Sequence, residues 1–210
     1  MKADHDYSRL SDVAGAWPVV GQEALAAGTV VRVRRDVVRM PDGQEAGREV
    51  VEHPGAVAVL VLDEDERVLL IRQYRHPVGA QLWEIPAGLR DVAGEALLTT
   101  AQRELLEEAG YAAKDWRVLA DFFTSPGISN ERLRVFLARD VRLVPDDERQ
   151  YVPSHEEAHL EIEWVPLDVV VRRFLDGELH NGVMAVGVLA AWAARGDGFA
   201  SLRGPEAPEG

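Results

Sequence analysis

Short runs of alternating or continuous hydrophobic residues, separated by polar turns, fill the chain before its first predicted helix, and this pattern indicates β-strands. From Thr29 to Met40, valines alternate with arginines. Pro41-Asp42-Gly43 then gives a turn signal before a short strand predicted from Arg48 to Glu52. These segments predict an antiparallel hairpin or small sheet, and residues 1–20 before them are expected to be loosely structured.

The hydrophobic pattern after residue 52 predicts further strands and three helices. A continuous apolar run from Ala56 to Leu62 predicts a buried strand, and a polar turn separates it from a returning strand at Arg67 to Tyr74. Further strands are predicted at Leu82–Ile85, Trp116–Phe123, Leu133–Ala138 and Leu160–Val165, helices at about Glu95–Ala109, Leu167–Leu175 and Met184–Ala194, and a charged loop at Asp140–His155. Because the strands and helices do not alternate regularly, we expect an α+β fold in which helices pack on a mixed sheet.

This pattern divides the chain into three regions. Residues 1–52 are predicted to form an N-terminal β region, and residues 53–198 a larger domain. Residues 199–210 are rich in glycine, proline and glutamate, which predicts a disordered tail.

The composition narrows the possible classes of function. Of the 210 residues, 47% are hydrophobic, enough for a proper core, and none is cysteine, which excludes disulfides, zinc–thiolate sites and thiol nucleophiles. The net charge of -13 argues against nonspecific nucleic-acid binding and against docking on anionic membranes. Met1 to Leu10 lack the apolar core of a signal peptide, and the run from Val183 to Ala194 is too short to cross a bilayer. We therefore expect a cytoplasmic protein.

The stretch most informative about function runs from Arg103 to Tyr111 and reads Arg-Glu-Leu-Leu-Glu-Glu-Ala-Gly-Tyr. It places Glu104, Glu107 and Glu108 within about one helical turn, so that their carboxylates lie close together. Oxygen ligands grouped in this way suit a hard cation such as Mg2+ or Mn2+. The alternative is a solvated acidic helix face, which is common in acidic proteins.

The residues upstream extend this acidic cluster into a longer motif. Gly88 is followed after six residues by Glu95, and Glu95 after seven residues by Arg103 and the glutamates. The stretch resembles the Nudix box, G-x5-E-x7-R-E-U-x-E-E-x-G-U, in which U is aliphatic. It departs from that pattern in two ways: the first gap is one residue longer, and Tyr111 stands where an aliphatic residue is usual. The extra residue falls in a loop, where an insertion disturbs no helix register.

The resemblance implies a Nudix fold, an α/β/α sandwich with a mixed sheet, joined to the small N-terminal antiparallel β-sheet. It also implies a divalent metal held by Glu104, Glu107, Glu108 and the backbone carbonyl of Ala87. Such an ion neutralises a diphosphate and lowers the pKa of a bound water. Arg103 and Glu107 are four residues apart, so an orienting ion pair is expected, and both are predicted to be catalytic. Glu95 belongs to the box, but it could instead serve as a carboxylate favoured by the helix dipole.

Segments that flank the box resemble ADP-ribose pyrophosphatases in particular. These segments are Arg48–His53, Gln73–His76, Leu82–Gly88 and Ser125-Pro126-Gly127. The resemblance covers about Thr29 to Ala194, which is most of the chain. It implies hydrolysis of ADP-ribose to AMP and ribose 5-phosphate.

The same resemblance indicates which residues complete the site. In that family a glutamate on a late loop binds metal or activates the attacking water, and Glu157 is preferred here over Glu156, which is assigned to the substrate. Both could instead be ordinary loop carboxylates. Arg48 and Arg75 are expected to contact adenine or phosphates, with surface ion pairs as the alternative. The predicted substrate pocket also includes Gly88, Ser125, Gly127 and Glu131.

The family further implies a homodimer whose N-terminal strands pack on the partner or exchange with it, since a lone hairpin is only marginally stable. No nucleic-acid or membrane partner is expected. A Nudix-like sensor that holds ADP-ribose without cleaving it is the alternative from another class. Such proteins usually lose box glutamates or carry a DNA-binding domain, whereas here Glu104, Glu107 and Glu108 are all present and the net charge disfavours DNA binding. Among enzymes, the alternative substrates are another nucleoside diphosphate sugar or a dinucleotide.

Overall fold

The computed structural model describes residues 10–149 and 160–209. The chain divides into two compact units between Val51 and Glu52. This division lies one residue before the boundary predicted from the sequence, and each unit has its own hydrogen-bonded sheet or sheets.

A sheet of three strands is the main feature of residues 10–52. Its strands are β1 (Val19–Ala27), β2 (Arg32–Arg39) and β3 (Glu45–Glu52), in the order β1-β2-β3, with β1 antiparallel to β2. Gly43 lies in the predicted turn, with a φ of 84° that glycine adopts without strain. The sequence did not predict β1, because small and polar residues interrupt its hydrophobic pattern and only its pairing with β2 makes it a strand.

Seven more strands lie within residues 52–149 and 160–209. They are β4 (Ala56–Val61), β5 (Arg67–Arg75), β6 (Ala80–Glu84), β7 (Ala87–Leu89), β8 (Tyr111–Phe123), β9 (Arg132–Leu143) and β10 (Glu161–Pro166). Four of them form a mixed sheet in the order β7-β4-β9-β8, in which β4 is parallel to β9 and the other neighbours are antiparallel. The other three form an antiparallel sheet in the order β10-β5-β6.

Helices cover both faces of the mixed sheet. They are α1 (Leu97–Glu104), which continues through a π-type turn at residues 105–109, α2 (Leu167–Leu175) and α3 (Gly182–Ala194). On one face Leu60 is buried with Met184 of α3, and on the other Val59 is buried with Leu105 at the end of α1. Successive side chains of β4 are buried alternately in the two cores, and for this reason the strand is apolar at every position. The predicted α+β class and the helix–sheet–helix layering are confirmed.

Strands β8 and β9 extend several residues beyond the bounds that the sequence predicted. Strand β8 begins at Tyr111, directly after the box, and β9 runs to Leu143, so that the predicted charged loop begins with strand residues. Tyr111 pairs with Leu143 across the two strands. The charged residues at the end of β9 did not predict a strand, because their strand conformation depends on backbone hydrogen bonds to β8. Among the described helices, none has both the length and the hydropathy needed to span a membrane.

The prediction of a disordered tail from residue 199 does not hold for the described residues 199–209. Phe199 is buried in the core on the α3 side of the sheet. The backbone N–H of Val118 donates to the carbonyl oxygen of Arg203 at 2.9 Å, and Arg134 donates to the carbonyl oxygen of Ala207 at 2.7 Å. The composition of the tail did not reveal these contacts, because their partners lie some 70 or more residues earlier in the chain.

Candidate active site

The box helix presents its carboxylates beside a buried stripe. Ala101, Leu105 and Ala109 are buried against the sheet, while the three glutamates stay partly exposed. Gly110 ends the helix as predicted: its φ is 73°, and its N–H donates to the carbonyl oxygen of Leu106 at 3.0 Å. Hydrophobic spacing therefore fixes which way the acidic side of α1 faces.

Arg103 is the centre of the charge network in the box. Its Nη1 lies 2.7 Å from Glu104 Oε1 and 3.2 Å from Glu107 Oε2, and its Nη2 lies 3.2 Å from Glu95 Oε2. The predicted pair with Glu107 is therefore present. The hydrogen bonds to Glu95, together with the nearby carboxylates, raise the pKa of Arg103 above its ordinary value. Arg103 thus stays charged and holds three carboxylates in fixed positions.

The carboxylate of Glu95 is bonded to other side chains and does not cap the helix. It lies two residues before α1, and it accepts hydrogen bonds from the Thr100 hydroxyl at 2.8 Å and from Arg103. The hydrogen bonds from Arg103 and Thr100 lower the pKa of Glu95. Of the two roles left open by the sequence, these contacts favour membership of the box network.

The strand β7 folds back onto the glutamates. The backbone N–H of Ala87 donates to Glu108 Oε2 at 2.8 Å. The carboxylate of Glu104 fills the space beside Gly88, where a Cβ would stand only 1.9 Å from Glu104 Cδ. Burial raises the pKa of Glu104. The structure therefore places Ala87 and Gly88 of β7 next to Glu108 and Glu104. The contact is made by the N–H of Ala87, and the role of its carbonyl oxygen as a metal ligand stays a prediction.

The type of donor at this place suits a hard divalent cation. All the predicted ligands are carboxylate or carbonyl oxygens, which are the ligands that such an ion prefers. Because Gly88 has no side chain, the carboxylate of Glu104 can lie against β7. Among residues 10–149 and 160–209, no three or more histidines, aspartates or glutamates are already arranged around a metal position. In this structure Glu104 and Glu107 are paired with Arg103, and Glu108 is bonded to Ala87. Glu156 and Glu157, the predicted late glutamates, lie outside the described residues.

A cleft of about 470 Å³ adjoins the box. Among the residues that line it are four predicted for the site: Arg75, Ala87, Gly88 and Glu131. Arg75 makes a two-pronged ion pair with Glu84, through Nε to Oε1 at 2.9 Å and Nη2 to Oε2 at 2.6 Å. The Glu84 side chain is 3% exposed and that of Arg75 is 43% exposed, so one edge of the guanidinium is fixed while part of it faces the cleft.

His53 also lines the cleft, although its sequence context predicted no role for it. Its backbone N–H donates to Asn130 Oδ1 at 2.8 Å, and its Nδ1 accepts the N–H of Gly55 at 3.0 Å. Its Nδ1 also lies 3.5 Å from Glu131 Oε1. His53 stands in the flanking segment that resembles ADP-ribose pyrophosphatases, which was the one available signal for it.

The other predicted substrate residues within the described ranges are Ser125, Gly127 and Arg48. Ser125 accepts backbone hydrogen bonds from Ile128 and Ser129 in the loop after β8, and Gly127 is exposed in the same loop. Arg48 belongs to the N-terminal unit, where its guanidinium donates to the carbonyl oxygen of Gly47 at 2.8 Å. Their part in substrate binding stays a prediction.

The chain is similar to known proteins over most of its length. Residues 52–185 match the NUDIX domain. An ADP-ribose pyrophosphatase of Mycobacterium tuberculosis (strain ATCC 25618 / H37Rv) is 44% identical over 201 residues, which cover 96% of this chain and 90% of the relative. An ADP-ribose pyrophosphatase of Bacillus subtilis (strain 168) is 37% identical over 141 residues, which cover 65% of this chain and 76% of the relative. A crystal structure of an ADP compounds hydrolase matches 90% of this chain and 100% of its own at a TM-score of 0.73 and 20% identity, which supports the fold.

The domain match covers more than half of the chain and includes the whole box. The relative at 44% identity spans nearly the full length of both proteins. Together with the clustered glutamates, Arg103 and the contacts of strand β7, these similarities establish that the chain belongs to the Nudix hydrolase superfamily, in its ADP-ribose pyrophosphatase family.

Proposed function

We propose that this protein hydrolyses the diphosphate bond of ADP-ribose to AMP and ribose 5-phosphate, with Mg2+ as its cofactor and Mn2+ as a substitute. One observation carries the proposal: Ala87 and Gly88 line the cleft on one side and contact Glu108 and Glu104 on the other. A diphosphate bound in the cleft is thereby next to carboxylates that suit a divalent ion. The names of the relatives at 44% and 37% identity agree with this substrate.

The ion would be held by Glu104, Glu108 and the carbonyl oxygen of Ala87. Glu107 lies on the same helical turn and would bind a second ion or a water. A divalent cation bound there neutralises the diphosphate and lowers the pKa of a water molecule. Arg103 holds Glu104 and Glu107 through ion pairs of 2.7 and 3.2 Å, which limits their movement before substrate arrives.

The substrate is anionic and the protein carries a net charge of -13, so local cations have to compensate. Arg75 is suited to this because Glu84 fixes its orientation while part of the guanidinium faces the cleft. We assign Arg75 to a phosphate or to the adenine. Arg48 is proposed for the same task, and Ser125, Gly127 and Glu131 for the ribose side of the pocket.

Glu157 is proposed to complete the chemistry by binding metal or by activating the attacking water, with its neighbour Glu156 at the substrate. A group that finishes the reaction is expected on a loop that closes after substrate binds. The cytoplasmic location predicted from the sequence stays part of this proposal.

We also propose a homodimer that uses the N-terminal strands. Val19, Val20 and Leu25 of β1 are exposed within this chain, as is Trp17 just before it. A three-stranded sheet with apolar residues exposed gains stability when a second copy covers it. Light scattering coupled to size-exclusion chromatography should give twice the chain mass of 23.2 kDa. A monomer at micromolar concentration would remove the dimer from the proposal.

A substrate panel with product identification tests the function. With Mg2+, ADP-ribose should be turned over faster than other nucleoside diphosphate sugars, dinucleotides and nucleoside triphosphates, and should give AMP and ribose 5-phosphate. Faster turnover of triphosphates would contradict the proposed substrate. Binding of ADP-ribose without any product would identify a sensor instead.

A further inference from the structure

The segment 203–209, which was expected to be disordered, crosses the mixed sheet from its β8 edge towards the box. It begins at the bridge between Val118 and Arg203. Arg203 Nη2 also donates to Asp121 Oδ2 at 3.0 Å. Strand β8 is the outer strand of the described sheet, so the segment uses backbone groups that an edge strand leaves available.

The middle of the segment is fixed by a buried arginine. Arg134 of β9 pairs with Asp121 directly across from it on β8, through Nε to Oδ1 at 2.6 Å and Nη2 to Oδ2 at 2.8 Å. The remaining Nη1 of Arg134 donates to the carbonyl oxygen of Ala207 at 2.7 Å. The guanidinium also lies over the ring of Phe136, in the core that includes Ala101 of α1. The segment therefore lies on the same face of the sheet as the box helix.

The segment ends at the loop between β7 and α1, the box loop (residues 90–96). The carboxylate of Glu209 lies 3.2 Å from Arg90 Nη1 and 3.6 Å from Arg132 Nε. Arg90 is further held by its backbone N–H, which donates to the carbonyl oxygen of Gly55 at 3.1 Å. Glu209 thus joins the first residue of the box loop to strand β9.

The next residue of the loop, Asp91, lies close to Arg103 at the centre of the box. Asp91 Oδ1 lies 3.9 Å from Arg103 Nη2, and Arg103 in turn holds Glu104 and Glu107. The box loop is also the place where this chain carries one residue more than the usual box. A longer loop loses more conformational entropy when its ends are held, so a contact that fixes its first residue has to offset part of that cost.

We propose that Glu209 is a positioning residue for the reaction: by holding Arg90 it fixes the box loop, and through Asp91 and Arg103 it keeps Glu104 and Glu107 in place. The inference rests on the proposed hydrolysis at the box glutamates. It assigns the 203–209 segment a role in catalysis rather than in stability alone.

The test replaces Glu209 by alanine in the full chain and uses Glu206→Ala as the matched control, because Glu206 is an exposed glutamate of the same segment. The Glu209–Arg90 pair is partly exposed, so Glu209→Ala should lower kcat roughly three- to fivefold. The KM for ADP-ribose should stay unchanged, because the cleft residues are not altered. The Glu206→Ala variant should behave like the unaltered protein.

Two further measurements separate positioning from general destabilisation. Amide hydrogen exchange in residues 89–95 should be faster in Glu209→Ala than in Glu206→Ala, while the midpoint of thermal unfolding stays the same. Arg90→Ala and Glu209→Ala both remove the Glu209–Arg90 contact, so the double variant Arg90→Ala/Glu209→Ala should lose no more kcat than Glu209→Ala.

An unchanged kcat in Glu209→Ala, or fully additive losses in the double variant, would overturn the inference. If the unaltered protein does not hydrolyse ADP-ribose, the proposed function fails. The hydrogen-exchange comparison still decides in that case whether Glu209 orders the box loop, since it needs no substrate; unchanged exchange overturns the inference.

Discussion

The carboxylate of Glu104 occupies the place that a side chain of Gly88 would take, with a Cβ position 1.9 Å from Glu104 Cδ. The contact joins strand β7, which lines the cleft, to the box helix α1. A glycine is required there because any side chain would push the carboxylate away. Gly88 is not one of the glycines with a positive φ, so its backbone conformation does not itself require glycine. The requirement is thus one of space rather than of backbone conformation.

The first prediction follows from this contact. Gly88→Ala should displace Glu104 and lower kcat on the order of a hundredfold, because a misplacement of about 1 Å at a catalytic group has that effect. Steady-state kinetics at saturating Mg2+ measure it. The control is Gly182→Ala at the start of α3, where nothing lies within 4 Å of the added Cβ. Equal kcat in the two variants would remove Glu104 from the site.

The second prediction concerns Glu108. Glu108→Gln keeps an oxygen that can accept the Ala87 N–H but removes the negative charge, so turnover should fall by about two or more orders of magnitude. The measurement is kcat over a Mg2+ titration, with Glu64→Gln, in the exposed turn between β4 and β5, as the control. Near-normal kinetics would show that Glu108 does not hold the metal.

The third prediction separates the two late glutamates. Glu157→Gln should lower kcat more than it raises the Kd for ADP-ribose, because a group that activates water acts mainly in the transition state. Calorimetric binding and initial rates on the same preparations give the comparison. If Glu156→Gln alone has this effect, the two assignments must be exchanged.

The fourth prediction concerns Tyr111, the residue that departs from the usual box. Its hydroxyl accepts a hydrogen bond from Trp164 Nε1 at 3.2 Å, and the two rings meet edge to face. Tyr111→Phe leaves the indole N–H without this partner and should lower the free energy of unfolding by about 1 kcal/mol. Urea denaturation measures the loss, and Tyr74→Phe on an exposed tyrosine is the control. A smaller effect in Tyr111→Phe than in the control would contradict this account.

The fifth prediction is a dependence of stability on pH. Burial raises the pKa of Asp121, but hydrogen bonds from Arg134 and Arg203 outweigh it and leave the pKa below its ordinary value. The ionised Asp121 carboxylate therefore stabilises the folded protein fully above about pH 4, the ordinary pKa of aspartate. This stabilisation is lost as the pH falls through the pKa of Asp121 in the folded state. Below about pH 4 the free energy of unfolding should fall less steeply in Asp121→Asn than in the exposed control Asp147→Asn. Parallel curves from urea denaturation would exclude Asp121 as the source.

The sequence determined the features that depend on neighbours along the chain. The spacing of Glu104 and Glu108 places them on one helix face, because helix periodicity is set by the local backbone. Hydrophobic periodicity predicted helix α2 with the bounds that the structure has, Leu167–Leu175. The box and its flanks indicated the Nudix fold and family, which the domain match and the relatives confirm.

Only the tertiary structure decided which distant residues meet. Glu84 fixes Arg75 and Ala87 binds Glu108 because particular strands pair and fold back on α1, and no spacing in the sequence reports such pairing. Strand β1 was missed for the same reason, since its hydrogen bonds come from β2 rather than from its own pattern. The tail was misjudged because its composition is polar, whereas its order comes from Arg134 and Arg90, charged partners contributed by the sheet and the box loop.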